Sequence, residues 1–199
     1  MTDLFMQNVR LLLRDLSARL PYGVVCEACG GHMRRGRLAS IDVEEWDENL
    51  RPLCDIVVNE ETLETDFHEI DDLRPYLYPM SMLDQYIYVG GERFMPLQRI
   101  AEIHARQEPE PFKFTRTEIV KDENTGEICV KVYAKDVYYD NPEQEAFITS
   151  WNKKNFDPAL MTVALTDFCV ENHLDYRGLI DIGWAVEVTE ENNPYKINR

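Results

Sequence analysis

The chain has 199 residues, of which 44% are hydrophobic, so it is long enough and apolar enough to bury a core. Its formal net charge is −16, which argues against a general nucleic-acid binder because that function needs a basic surface. No stretch approaches the roughly 18 apolar residues that cross a bilayer, and the N-terminus lacks a signal-peptide pattern. We therefore expect a cytoplasmic protein without membrane association.

The N-terminal part of the chain predicts a helix followed by an antiparallel sheet. Apolar residues recur at helical spacing from Thr2 to Leu20, and Pro21 ends that pattern. Four short segments with alternating apolar residues follow, separated by turn-prone clusters. These segments are residues 24–28, 38–43, 54–58 and 65–70. The pattern favours a meander of about four strands packed on the first helix.

Acidic residues are concentrated in that predicted sheet. Thirteen acids and one basic residue, Arg51, lie between Ile41 and Asp72. Such a concentrated negative field attracts basic surfaces and speeds encounter with them. We therefore expect a face that binds a basic protein surface and makes no direct contact with nucleic acid. The candidate partner-binding residues are Asp42, Glu44, Glu45, Asp47, Glu48, Glu64 and Asp66.

The middle of the chain predicts a short helix and then a boundary. Apolar spacing favours a helix from Pro96 to Arg106, with proline at its first position. The sequence Glu-Pro-Glu-Pro at 108–111 forms a stiff, charged connection of the kind that separates domains. We therefore predict an N-terminal α+β domain, residues 1–106, and a C-terminal region, residues 107–199, that can pack on the first as one unit.

The C-terminal region predicts a hairpin and a further helix. Two apolar segments, 112–120 and 128–139, flank a turn-prone stretch and favour a β-hairpin. Residues 158–172 have the apolar periodicity of a buried helix. The predicted fold class is therefore α+β, with an antiparallel sheet, flanking helices and an additional β-hairpin subdomain.

Cys26, Cys29 and His32 form the motif that points most directly to chemistry. The Cys-x-x-Cys-Gly spacing can present two thiolates to zinc, with His32 as a third ligand. Tetrahedral zinc needs a fourth ligand, for which Cys54 and His68 are the nearest candidates. The other interpretation places Cys26 in the core and Cys29 at the end of a hairpin. The sequence thus keeps a zinc-binding module, or a small metal-dependent enzyme, as an alternative to a binding protein without a cofactor.

Three phrases of the sequence are specific in combination: Arg19–Val24, Arg74–Met82 and Asp175–Ile180. Together they resemble a family of small uncharacterised proteins from gut Bacteroidales genomes and their phages or mobile elements. The similarity covers roughly residues 6–106 and 165–188. That family has no established activity, so the resemblance assigns no functional residue. The chain departs from the family pattern in the inserted hairpin region and in the cysteine pair.

The leading functional hypothesis is a non-enzymatic binding protein that docks on a basic partner. The resemblance implies a phage or mobile element as the source. In that setting, one form of the hypothesis is a protein that mimics the charge of nucleic acid and inhibits a host DNA-handling protein. A structural component of an assembly is a further alternative. The sequence shows no phosphate loop, nucleophile elbow or dinucleotide fingerprint, and we predict no catalytic residue.

Overall fold

A computed structural model describes residues 3–29, 34–42, 52–107, 112–136, 145–155 and 161–196. Within these ranges the fold is α+β, as predicted. The helices are α1 (Asp3–Arg19), α2 (Pro96–Gln107) and α3 (Val163–Glu171). The strands are β1 (Val25–Ala28), β2 (Arg34–Asp42), β3 (Leu53–Asn59), β4 (Glu64–Glu69), β5 (Leu73–Leu77), β6 (Ile87–Val89), β7 (Glu92–Phe94), β8 (Phe112–Lys121), β9 (Ile128–Asp136), β10 (Ala146–Trp151) and β11 (Val186–Glu187). No helix in the described ranges is long and apolar enough to cross a membrane.

The chain forms two compact units that interleave in sequence. The first unit combines residues 1–79 with 169–194, and the second combines 80–168 with 195–199. The connection predicted as a domain boundary, 108–111, lies outside the described residues, and that boundary stays a prediction.

The first unit is built on a six-stranded sheet in the order β11-β5-β1-β2-β3-β4. The four predicted strands correspond to β1 through β4, which pair as an antiparallel meander. The predicted number of about four strands is too low, because β5 adds antiparallel to β1 and β11 adds parallel to β5. These two strands join the sheet through tertiary pairing, which local alternation does not reveal.

Helix α1 packs on one face of this sheet and forms the core of the first unit with it. Its apolar side contributes Val9, Leu12 and Leu16, each at most 1% exposed. Strand residues at alternate positions face it, which is the period-two pattern of a half-buried sheet. The buried strand residues in this cluster are Cys26, Ala28, Leu38, Cys54, Ile56, Leu73 and Leu77. We call the opposite side of the sheet the outer face.

An ionic network is buried beside this core. Arg19 is 0% exposed and forms a two-pronged pair with Asp15, through Nε to Oδ2 at 2.6 Å and Nη2 to Oδ1 at 3.1 Å. The same guanidinium donates to the carbonyl oxygen of Leu174 at 2.8 Å, and more distantly to those of Cys169 and Val170. Arg19 therefore serves as a charged cap for the C-terminal end of α3, where carbonyl groups lack helical donors.

The second unit contains a three-stranded sheet in the order β10-β9-β8, a β6-β7 hairpin and α2. The predicted hairpin is present as β8 and β9, and β10 extends it on the far side of β9. Residues from α2 and β9 are buried together, among them Leu97, Ile100 and Val130. Helix α2 thus covers one face of this smaller sheet, as its apolar spacing requires.

Candidate functional site

The β3–β4 hairpin lies at one end of the first unit's sheet. Strand β4 pairs with β3 on one side, and no described strand pairs with its other edge. Four of its six side chains are exposed and the other two are half-buried. An edge strand with solvent-facing side chains is a surface on which another protein can dock.

Strand register separates the side chains of this hairpin onto two faces. Asp42 on β2 is opposite Leu53 on β3, which is opposite Glu69 on β4. In the next outward-facing row, Asp55 is opposite Phe67. These five residues lie on the outer face, because the residues that alternate with them, such as Cys54, belong to the core. We call Asp42, Leu53, Asp55, Phe67 and Glu69 the outer-face patch.

The outer-face patch combines acids with exposed apolar groups. Phe67 is 69% exposed and Leu53 is 49% exposed. They occupy diagonal positions on adjacent strands, a spacing that aromatic side chains can bridge. Ser40 donates a hydrogen bond to Oδ2 of Asp55 at 2.6 Å, which fixes that carboxylate beside the apolar pair. The patch therefore offers an apolar centre with carboxylates around it.

A third exposed apolar group, Leu63, lies in the turn between β3 and β4, which we call the hairpin tip (residues 60–63). Leu63 is 68% exposed, and its φ of +54° lies in the left-handed region. Asn59 builds the turn by accepting hydrogen bonds from the backbone N–H groups of Glu61 and Thr62. A leucine is unfavourable here on two grounds, since its Cβ is strained at positive φ and its apolar side chain is in water.

Arginines from β2 compensate part of the acidic charge near the tip. Arg37 forms a two-pronged pair with Glu60, at 2.8 and 3.2 Å, and the hydrogen bonds hold the pKa of Glu60 below its ordinary value. Nη1 of Arg34 lies 3.6 Å from Oε1 of Glu64 and 3.5 Å from Oδ2 of Asp66. Arg34 and Arg37 therefore pair with acids of this hairpin, whereas Arg35 between them donates to the carbonyl oxygen of Asn192.

The structure places the described members of the predicted partner-binding set on both faces of the sheet. Asp42 belongs to the outer-face patch, whereas Glu64 and Asp66 lie with Arg34 on the side that faces α1. His68 lies 3.3 Å from Asp66 on that same side. Four members of the set lie outside the described residues: Glu44, Glu45, Asp47 and Glu48.

Sequence reasoning missed Leu53, Leu63 and Phe67 as functional candidates. Phe67 lies in the predicted strand 65–70, where an apolar residue is expected to face the core, whereas Leu53 and Leu63 lie outside the predicted strands. The available signal was the composition of β4, in which Phe67 is the single apolar side chain among five polar ones. A strand with one apolar residue has no apolar face to bury, so that residue is free to be exposed.

The proposed zinc ligands are in different surroundings. Cys26 is 0% exposed within the apolar core, and burial raises the pKa of its thiol, which opposes the thiolate form that metals bind. Cys29 is exposed just beyond the end of β1, and its backbone N–H donates to Asp72. His32 lies outside the described residues. The described residues contain no group of three metal-ligating side chains, and the zinc site stays a prediction.

Comparison of the chain with protein-family models, with curated proteins and with solved structures gives no match. Assignment of the site therefore depends on the chain's own geometry and chemistry.

Proposed function

We propose that this chain is a non-enzymatic binding protein whose outer-face patch and hairpin tip dock on a basic surface of a partner protein. The observation that supports it best is the exposure of Phe67 at the edge of the sheet, beside carboxylates. A large apolar side chain left in water forgoes about 1.5–3 kcal/mol of burial free energy. Interfaces commonly contain an aromatic anchor that is surrounded by polar groups.

Charge favours a basic partner over other classes of protein. Asp42, Asp55 and Glu69 share the outer face with the exposed apolar pair, so one partner surface can contact both kinds of group. The net charge of −16 adds a long-range attraction for basic surfaces. Lysine or arginine stems on the partner could cover Leu53 and Phe67 while their charged ends meet the carboxylates.

One form of this proposal makes the partner a nucleic-acid-binding protein. Such proteins present clustered lysines and arginines to phosphate groups. The acidic chain would occupy that basic surface in place of nucleic acid and so inhibit its use. This form predicts that duplex DNA and the chain compete for the same partner.

The test begins with capture from a Bacteroidales lysate and ends with a reconstituted complex. A captured protein would be purified and its Kd for the chain measured by calorimetry at about 50 and about 300 mM salt. We expect the Phe67→Ser variant and the Asp42→Lys/Glu69→Lys variant each to weaken binding by about tenfold or more, which is about 1.4 kcal/mol. Binding of the wild type should also weaken at the higher salt concentration.

A matched control separates the patch from the overall charge. The Glu123→Lys/Glu190→Lys variant makes the same change in net charge at exposed turn positions distant in sequence. We expect it to bind the partner within about twofold of the wild type. The proposal is wrong if the patch variants are folded and bind as tightly as this control, or if no partner survives reconstitution. Self-association of the wild type that Phe67→Ser abolishes would instead support the assembly alternative.

A further inference from the structure

The second unit contains a cavity of about 400 Å³ between α2 and the sheet formed by β8, β9 and β10. Its described lining comes from three elements: His104 and Ala105 on α2, Val132 and Ala134 on β9, and residues of β10. One of its lining residues, Ile148, is 38% exposed, so the cavity opens to solvent and a small molecule can enter it. Sites for small molecules are concave and mostly apolar surfaces of this kind.

Small side chains and a bulge in the sheet create the cavity. Ala105 and Ala134 line it from the helix side and from the sheet side, where larger apolar residues would fill it. Strand β10 departs from regular register between Phe147 and Thr149, so Ile148 is an extra residue in that strand. Such bulges re-aim neighbouring side chains, and here both Ile148 and Thr149 line the cavity.

An aromatic pair forms one wall of the cavity. The rings of His104 and Trp151 stack with centroids 4.5 Å apart and an interplanar angle of 27°. Stacking fixes the indole plane before any ligand arrives, which lowers the entropy cost of binding. The polar side-chain groups of the described lining are the hydroxyl of Thr149, the imidazole of His104 and the indole N–H of Trp151, and no described lining residue is an acid, a lysine or an arginine.

We infer that this cavity is a binding site for a small, uncharged, planar aromatic molecule. Its volume lies within the range of about 300–1,000 Å³ that is usual for small-molecule sites, and its lining is mainly apolar with three polar side-chain groups. The stacked wall favours a flat ring, which can lie against Trp151. The lack of acidic or basic groups, other than His104, in the described lining favours an uncharged ligand, because a buried charge needs a partner.

The test uses N-phenyl-1-naphthylamine, an uncharged aromatic probe whose fluorescence rises in apolar surroundings. We expect saturable binding to the folded protein and a shift of the His104 imidazole signals in a carbon–proton NMR spectrum. The chain has four histidines, so a His104→Gln variant suffices to assign that signal. Ala134→Leu should fill the cavity and weaken probe binding by about tenfold or more. If Ala134→Leu does not fold, Ala105→Leu fills the cavity from the helix side and should weaken probe binding to the same extent.

The control is Ala39→Leu, the same substitution at an exposed strand position in the first unit. It should bind the probe as the wild type does. The inference is overturned if the folded wild type does not bind the probe, if the His104 signals do not move on binding, or if both cavity-filling variants fold and retain the probe. Loss of the probe in either folded cavity variant, with binding retained in the control, supports it.

Discussion

The guanidinium of Arg19 donates a hydrogen bond to the carbonyl oxygen of Leu174 at 2.8 Å, across 155 positions of sequence. Arg19 is the last residue of α1, and Leu174 lies three residues beyond the end of α3. Asp15 neutralises the guanidinium inside the first unit, and Arg177 lies 3.4 Å from the same carboxylate. The contact therefore joins the two sequence segments of the first unit through one buried charge.

Arg19→Met should destabilise the protein by about 3–5 kcal/mol, because it leaves the buried Asp15 without its main partner and removes the donor from three carbonyl groups. Arg19→Lys should also be destabilising, since a single ammonium cannot reproduce the two-pronged geometry. Urea unfolding measures both. Arg14→Met, at an exposed position of the same helix, is the control and should change stability by no more than about 0.5 kcal/mol. Equal stability of Arg19→Met and this control would contradict the assigned role of Arg19.

His173 should make stability depend on pH below neutrality. It is 1% exposed, and burial together with the nearby Arg19 charge lowers its pKa from 6.5 to about 3. Below pH 6.5 His173 is protonated in the unfolded chain but stays neutral in the folded chain. The free energy of unfolding is therefore highest above pH 6.5 and decreases as the pH falls toward 3. The loss amounts to about 2 kcal/mol between pH 6.5 and pH 5.

His173→Asn tests this titration while keeping the backbone conformation. His173 has a φ of +55°, and asparagine tolerates the left-handed region after a helix. Unfolding by urea at several pH values should show a flatter profile for the variant between pH 6.5 and 5. Parallel profiles for the two proteins would show that His173 is not the titrating group.

Leu63→Gly should raise stability and weaken partner binding at the same time. Glycine adopts the left-handed φ without the strain of a Cβ, which favours the variant by about 1 kcal/mol. It also removes an exposed apolar group from the hairpin tip. Thr62→Gly, at a neighbouring position without positive φ, should instead lower stability slightly. A variant that is more stable and binds equally well would remove Leu63 from the proposed interface.

Serine substitutions distinguish a core role for the cysteines from a metal role. Cys26→Ser places a hydroxyl in the apolar core and should cost about 1–3 kcal/mol. Cys29→Ser changes an exposed side chain and should cost no more than about 0.5 kcal/mol. Urea unfolding is combined with elemental analysis of protein purified without chelator. About one zinc per chain, with Cys29→Ser as damaging as Cys26→Ser, would support the zinc prediction instead.

Much of the fold could be predicted because its periodic signals are local. The helices at α1 and α2, the meander β1–β4 and the β8–β9 hairpin all follow from apolar spacing and turn residues. Strand β5 could not be predicted from the sequence, because proline is atypical of a strand inside a sheet and β5 contains Pro75. Pro75 is opposite Cys26 on β1, and on the other side of β5 the ladder with β11 includes only Tyr76 and Leu77, so Pro75 is paired with one neighbouring strand.

The candidate site was harder to predict because register decides which side chains share a face. The sequence shows the concentration of acidic residues between Ile41 and Asp72. Which side of the sheet each acid faces depends on how β4 aligns with β3. Phe67 belongs to the outer face because it is opposite Asp55, and sequence alternation alone does not give that pairing. The cavity in the second unit depends on a bulge at Ile148, which also has no local signal.

The interleaved order of the two units affects how the protein folds during synthesis. Strand β11 and the carbonyl groups that Arg19 needs are made only after residues 80–168, which supply nearly all of the second unit. Until then the nascent chain has α1 and the meander β1–β4, but Arg19 lacks its distant carbonyl acceptors. Domains usually fold as they emerge from the ribosome. The first unit is complete only when residues 169–194 have been synthesised, and by then most of the second unit has been made. The second unit can therefore fold before the first unit is complete.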